Sequence, residues 1–191
     1  MSKAPLPRDE EARLQALHQY EVLDTAPEKD LDDLTRLASH ICGTPIALIS
    51  LIDRERLWFK SKVGLTVKEM SRDIAFCTHA ILQPDVLVVP DALADDRFVT
   101  NPLVTADPHI RFYAGMPLVT PEGLALGTLC VMDHVPRELN LEQKLALMTL
   151  SLQVVKQLEL RRQLAVLCRT ILERKQVGRP PFEPLVLEGF F

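Results

Sequence analysis

Along the first 45 residues the apolar positions recur at helical spacing. Leu14 and Leu17 lead into Val22 and Leu23, and after a turn Leu31, Leu34, Leu37, Ala38 and Ile41 form a stripe that stops at Gly43. Two helices are predicted. Between them Thr25-Ala26-Pro27-Glu28 reads as a capping box, with the threonine hydroxyl accepting the Glu28 N–H, the glutamate reaching back, and proline tolerated in the first turn. The period then changes. Residues 45–53, PIALISLID, are apolar on both faces and predict a central strand. Asp53-Arg54-Glu55 makes a turn, after which Leu57, Phe59, Ser61 and Val63 alternate toward a core with Trp58, Lys60 and Lys62 toward water. These two segments predict a hairpin.

A second hairpin is formed by RFYAGMPLV and LALGTLCVM around Thr120-Pro121-Glu122-Gly123, a sequence suited to a type I turn. That turn pairs Val119 with Leu124 and Tyr113 with Cys130. One face then shows Tyr113, Gly115, Val119, Leu126, Thr128 and Cys130. The other shows Phe112, Ala114, Met116, Leu118, Ala125, Gly127, Leu129 and Val131, small and apolar enough to take packed helices. Pro117 inside the first strand marks an edge or a bulge. Between the hairpins, residues 64–110 are irregular apart from a short strand in LVVPDA, and loops held by a rigid sheet are where a site is expected.

Asn140 caps a last helix that runs without Pro or Gly to about Val177. Leu141, Leu145, Met148, Leu152 and Val155 repeat at coiled-coil spacing, and Leu160, Leu164, Leu167 and Ile171 continue in a shifted register. About 36 helical residues span roughly 54 Å, longer than a domain of this size. The overhang predicts a homodimer joined through this helix. The chain thus divides into an N-terminal helix (1–24), a sheet and pocket region (25–139), a dimerisation helix (140–177) and a Pro-containing tail (178–191).

Composition narrows the partners. The 191 residues, 47% hydrophobic, suffice for one core. A formal net charge of -4 gives no electrostatic reason for nucleic acid or an anionic membrane as partner. The first residues lack the apolar core of a secretion signal, and no stretch reaches the roughly 20 apolar residues of a membrane span, so a cytoplasmic protein is expected. Cys42, Cys77, Cys130 and Cys168 are widely spaced, which in a reducing compartment points to free thiols.

The order of these elements, with LDTAPEKDLDDLTRLASHICGTPIALISLIDRERLWFKSKVGL, RDIAFCTHAI, VVPDALADDRFVTNPLV and IRFYAGMPLVTPEGLALGTLCVMD, resembles a GAF domain over residues 8 to about 160. More narrowly, it looks like those at the N-terminus of bacterial sensor histidine kinases and diguanylate cyclases. It implies an α+β, PAS-related fold with a central antiparallel sheet, helices on one face, a long C-terminal helix, and a small-molecule pocket across the front roofed by the irregular segment. It also implies parallel homodimers joined through terminal helices. Only 16 residues follow residue 175, so the output, a histidine kinase or diguanylate cyclase, is expected in trans, or the chain is a piece of something longer.

The candidate chemistry lies in the irregular segment. Cys77 and His79 are two apart, a spacing that in a helix points side chains away from each other, and Cys130 with His134 forms a second loose set; neither matches a tight zinc pattern. AFCTHAI resembles the segment carrying one thiol of free methionine-R-sulfoxide reductases. Val67 stands at the position of a second such thiol, and the region of the third, near Asp96 to Asn101, has none. Thr78 intervenes where bilin-binding relatives place histidine directly after the linking cysteine, and the Asn-Lys-x-Phe-x-x-x-Asp-Glu pattern of cyclic-nucleotide binders is absent from the sequence. The expected pocket residues are Trp58, Phe98 and Tyr113 as flat surfaces, Arg97 and Arg111 as cationic forks, Asp91 and Asp95 as acceptors, and Phe76, Cys77, His79 and Cys130 as wall. Each arginine has a plain alternative, pairing with a neighbouring aspartate to pin a loop.

The expectation is therefore a non-enzymatic, dimeric sensor or regulatory module in bacterial signal transduction, with an unknown small-molecule ligand and no identified cofactor or metal. The alternatives are a thiol-dependent reductase and an interaction module that binds no ligand.

Overall fold

A computed structural model describes residues 3–176, and the tail expected at 178–191 lies outside the described residues. Helices α1 (Glu10–Gln19) and α2 (Lys29–Cys42) precede strands β1 (Ile46–Ile52) and β2 (Arg56–Val63). The irregular region holds β3 (Glu69–Ser71), a 3-10 turn at Arg72–Ile74, α3 (Cys77–Ala80), β4 (Leu87–Val89) and α4 (Pro102–Thr105). Strands β5 (Phe112–Val119) and β6 (Ala125–Asp133) lead to α5 (Leu141–Gln176). The six strands form one antiparallel sheet in the order β3-β2-β1-β6-β5-β4.

The central strand β1 is buried at every residue, as its unbroken apolar run requires. On one face Ala47, Ile49 and Leu51 join Leu31 and Ala38 of α2 and Leu147, Val154 and Leu158 of α5; on the other Ile46, Leu48 and Ile52 meet the irregular region. The expected α+β architecture, with helices on one face, is the one observed. α2 ends on Gly43 in the left-handed conformation (φ 63°), with Gly43 and Thr44 N–H groups closing onto the carbonyls of His40 and Ser39 at 3.2 and 3.0 Å.

Two bulges change faces that simple alternation assigns. Between β1 and β2, Ile49 pairs with Ser61 but Ser50 with Phe59, leaving Lys60 as an extra residue. Leu57 and Phe59 therefore face the front, whereas Ser61 turns to the helices and donates to Asp32 at 2.6 Å. Lys60, expected in water, is 3% exposed; its Nζ donates to Thr25 Oγ1 and Ala26 O at 2.8 Å and pairs with Glu28 at 2.6 Å. The capping box is lost to this lysine. Thr25 Oγ1 instead donates to Val22 O at 2.6 Å, and α2 starts at Lys29 with Glu28 at its N-cap making no side-chain cap bond. A buried ammonium needs several acceptors, a stronger demand than one helix cap.

The 120–123 turn closes with Gly123 N donating to Thr120 O at 2.9 Å. Val119 pairs with Ala125 rather than Leu124 and Leu126 is extra in β6; together these shifts pair Tyr113 with Met132 and Gly115 with Cys130, two residues from the expected pairing of Tyr113 with Cys130, and Leu126 joins the helix-side core. Pro117 is accommodated because β4 pairs β5 only from Tyr113 to Gly115.

In α5, Asn140 Oδ1 accepts the Gln143 N–H at 2.8 Å while Gln143 Oε1 accepts the Asn140 N–H at 3.1 Å, a reciprocal cap. Its inward row is Leu147, Ser151, Val154 and Leu158. The predicted seam lies mostly on another face: Leu141, Leu145 and Leu152 are 71%, 49% and 58% exposed, although Val155 packs against the core. Leu160, Leu164, Leu167 and Ile171 are exposed as well. Polar contacts still tie this half to residues 20–28, through Tyr20 with Glu159, Arg161 with Glu28 (2.6 Å) and Arg169 with Glu21 (2.7 Å).

α1 is pinned through Glu10, whose carboxylate takes a bidentate Arg13 fork at 2.8 and 2.9 Å and Arg72 at 2.5 Å. Burial pushes this carboxyl up, but the two guanidiniums outweigh it and hold it down at about 2. Because the folded value lies below the ordinary one of 4.5, the contribution is complete above that pH and is lost as pH falls toward about 2. Urea unfolding across this window should show stability falling with acid in wild type, with a shallower fall in Glu10→Gln. A second test concerns Gly127, where a Cβ would sit 1.9 Å from the Ser50 carbonyl oxygen. Gly127→Ala should cost about 3 kcal/mol in the same measurement.

Candidate functional site

The front of the sheet is closed by packed side chains. Phe76, preceding α3, stacks on Phe98 with ring centroids 4.2 Å apart and on Tyr113 of β5 at 5.2 Å. His79 meets the edge of Phe98 at 4.8 Å. Phe76, Phe98 and Tyr113 are 2%, 0% and 0% exposed, so this stack fills the room expected for a ligand. Cys77, at the first position of α3, brings its Sγ to 3.8 Å from Cys130 Sγ on β6. Beside them Ser50 and Thr128 hydroxyls bond to each other at 2.9 Å across the β1–β6 pair.

Six of the eleven expected residues thus belong to one cluster: Phe76, Cys77, His79, Phe98, Tyr113 and Cys130. Asp95 and Arg97 sit at its rim and pair with each other, Arg97 donating at 2.9 and 2.6 Å, with its guanidinium 5.1 Å from the Phe98 ring centroid. Asp91 accepts the Leu93 N–H at 3.0 Å, and Arg111 donates to the carbonyls of Val104 at 2.8 Å and Ile110 at 3.1 Å. The expected arginine–aspartate pairing describes Arg97 with Asp95; Asp91 and Arg111 pin their loops through the main chain instead. Trp58 is a correction: it packs in the helix-side core, 7% exposed, on the opposite face of the sheet, because alternation along β2 turns it away from Leu57 and Phe59 and the helices cover that face. Cys130 and His134 also part company, since Cys130 is fully buried while the exposed His134 ring nitrogen lies 2.7 Å from Pro108 O.

A cleft of about 290 Å³ opens beside the stack, walled by Leu65, Val67, Met70, Leu103, Ile110 and Met132, with carboxylates from Glu69 and Asp107. None of the expected residues lines it, because its walls come from four segments without a shared period. Asn101 was also missed: its Nδ2 donates to Ile74 O at 2.9 Å and its Oδ1 accepts the Leu103 N–H at 2.9 Å, tying the 3-10 turn to α4. The signal was present in Asn101-Pro102, a capping residue followed by proline at a helix start.

A family profile for the GAF domain matches residues 26–158. The chain belongs to the GAF family. A protein of Pseudomonas aeruginosa named cyclic di-GMP phosphodiesterase is 41% identical over 148 residues, 78% of this chain and 25% of that protein. The chain spans about a quarter of that relative's length. This match corrects the expectation of a non-enzymatic protein, since the relative is named as an enzyme. Among solved structures, the GAF domain of an Acinetobacter phosphoenolpyruvate-protein phosphotransferase is 17% identical with a TM-score of 0.58, covering 84% of this chain and 99% of that one. Free methionine-R-sulfoxide reductase of Neisseria meningitidis, in complex with its substrate, is 17% identical with a TM-score of 0.58, covering 85% and 99%. Both likenesses are of fold, so the reductase alternative gains no support from the second. Among the described residues no helix of this GAF chain is long and apolar enough to cross a membrane.

The packing makes a graded prediction. Phe98→Ala should destabilise the chain by about 3–5 kcal/mol, the range for emptying a buried aromatic site. Arg97→Ala, which removes a partly exposed pair, should cost no more than about 1 kcal/mol; paired urea melts compare them.

Proposed function

We propose that this chain is a cytoplasmic regulatory GAF module of a cyclic di-GMP phosphodiesterase, signalling through α5 as a homodimer. The observation that carries the reading is the identity with the phosphodiesterase of Pseudomonas aeruginosa over 148 residues. The helix supports the mode of signalling. Its inward row ends at Leu158, whereas Leu160, Leu164 and Leu167 stay 51–55% exposed, an apolar face suited to the same face of a second copy. A small ligand, if it is the input, enters at the 290 Å³ cleft rather than at the filled front, and it shifts the helix packing only by its affinity difference between two states. The filled front favours a second reading, in which the domain relays a partner contact with no small ligand.

Sedimentation at micromolar concentration should give twice 21.5 kDa for the wild type and the monomer mass for the double variant Leu164→Glu, Leu167→Glu. Cyclic di-GMP hydrolysis by the protein that carries this chain should change severalfold in the same variant. A wild-type monomer at tens of micromolar refutes the helical route; equal turnover in dimer and monomer refutes the regulatory role.

A further inference from the structure

We propose that Cys77 and Cys130 are a redox-active dithiol that closes to a disulfide on reaction with a small hydroperoxide. This stands apart from the proposed phosphodiesterase role and rests on what surrounds the two sulfurs. Their separation of 3.8 Å leaves roughly 1.8 Å to close to a disulfide length of about 2.05 Å. The two partners are held differently. Cys130 lies in β6, clamped between β1 and β5, whereas Cys77 sits on a four-residue helix flanked by irregular chain. The closing movement falls to α3.

The surroundings are polar in a way that packing does not need. Ser50 and Thr128 place their hydroxyls beside the pair. Tyr113, fully buried, aims its hydroxyl at the same point, next to Cys77 and Thr128, and finds no hydrogen-bond partner among the described residues. Gly115, paired with Cys130, makes that approach possible: a Cβ there would lie 2.1 Å from the Tyr113 oxygen. Hydrogen bonding from Cys130 outweighs burial and holds the Cys77 thiol low, with Ser50 and Thr128 adding to it, while the same contact and burial push Cys130 up. Cys42 shows the contrast, a buried thiol without such neighbours that burial raises to about 11. The contact between Cys77 and Cys130 thus favours ionisation of Cys77 over that of Cys130.

The chemistry balances. Cys77 thiolate attacks one peroxide oxygen, the O–O bond breaks, and the other oxygen leaves, taking up a proton, as water or an alcohol; Cys77 becomes a sulfenic acid. Cys130 Sγ then attacks that sulfur, the S–S bond forms, the S–O bond breaks, and the hydroxyl departs with the Cys130 proton as water. Two thiols lose two electrons and two protons, and the peroxide gains them. Because Phe76 adjoins Cys77 and stacks on Phe98 and Tyr113, closure pulls on the whole front layer.

The full chain, treated with one equivalent of hydrogen peroxide under native conditions, should lose two of its four thiols to a thiol reagent added after unfolding. Tryptic peptides 73–97 and 112–137 should appear joined, two hydrogens lighter than their sum, and separate on addition of a dithiol. In Cys130→Ser, a 1,3-dione should trap a sulfenic acid at Cys77. Should that variant not fold, the joined wild-type peptides decide alone. Four thiols remaining, over-oxidation of Cys77 to a sulfinic acid without the joined peptide, or joining only after urea unfolding would each overturn the proposal.

Discussion

Strands β1 and β6 are apolar on both faces, so the sheet has to be covered twice. On the back the cover is regular, with α2 and α5 laying Leu31, Ala38, Leu147, Val154 and Leu158 against Ala47, Ile49, Leu51, Leu129 and Val131. Among the described residues no long helix covers the front, and a layer of turns must bury Phe76, Phe98 and Ile110 while satisfying its own backbone. The polar residues of that layer answer the second need. Asn101 holds Ile74 O and Leu103 N, Asp91 holds Leu93 N, and Arg111 holds two carbonyls. Arg111, which looks like a ligand fork, is taken up by the main chain because irregular structure leaves acceptors that a helix would have paired.

The same demand for satisfaction joins the sheet to the long helix. Lys60, carried inward by a bulge, draws the 25–28 segment around its ammonium, and Glu28 shares one carboxylate between Lys60 and Arg161 of α5. Tyr20 and Glu21 add two further ties to the same helix. β2 and α5 are thus joined by contiguous contacts through the 25–28 segment. On the front, the Cys77 Sγ meets Cys130 of β6, the strand that precedes α5 in the chain.

Much of the architecture was readable from local pattern. The order of elements, both hairpins, the 120–123 turn, the Gly43 stop and the Asn140 start follow from period and from turn and cap chemistry, which act over a few residues. The candidate site was readable only as a region. Six of its residues converge, but the reading of them as cavity wall did not foresee the Phe76, Phe98 and Tyr113 stack, and nothing in the order of residues says whether three aromatic rings meet or part around a guest.

By itself, then, the sequence determined that a two-faced antiparallel sheet is backed by helices and followed by a long amphipathic rod, because hydrophobic period is a property of neighbours in the chain. Tertiary structure decided which side each residue took. Single-residue bulges at Lys60 and Leu126 move the positions beside them to the other face, sending Ser61 to the helices and resetting the Tyr113 and Cys130 partners, and an insertion of that kind is set by contacts between strands far apart in sequence. The meeting of Cys77 with Cys130 across 53 positions is of the same origin.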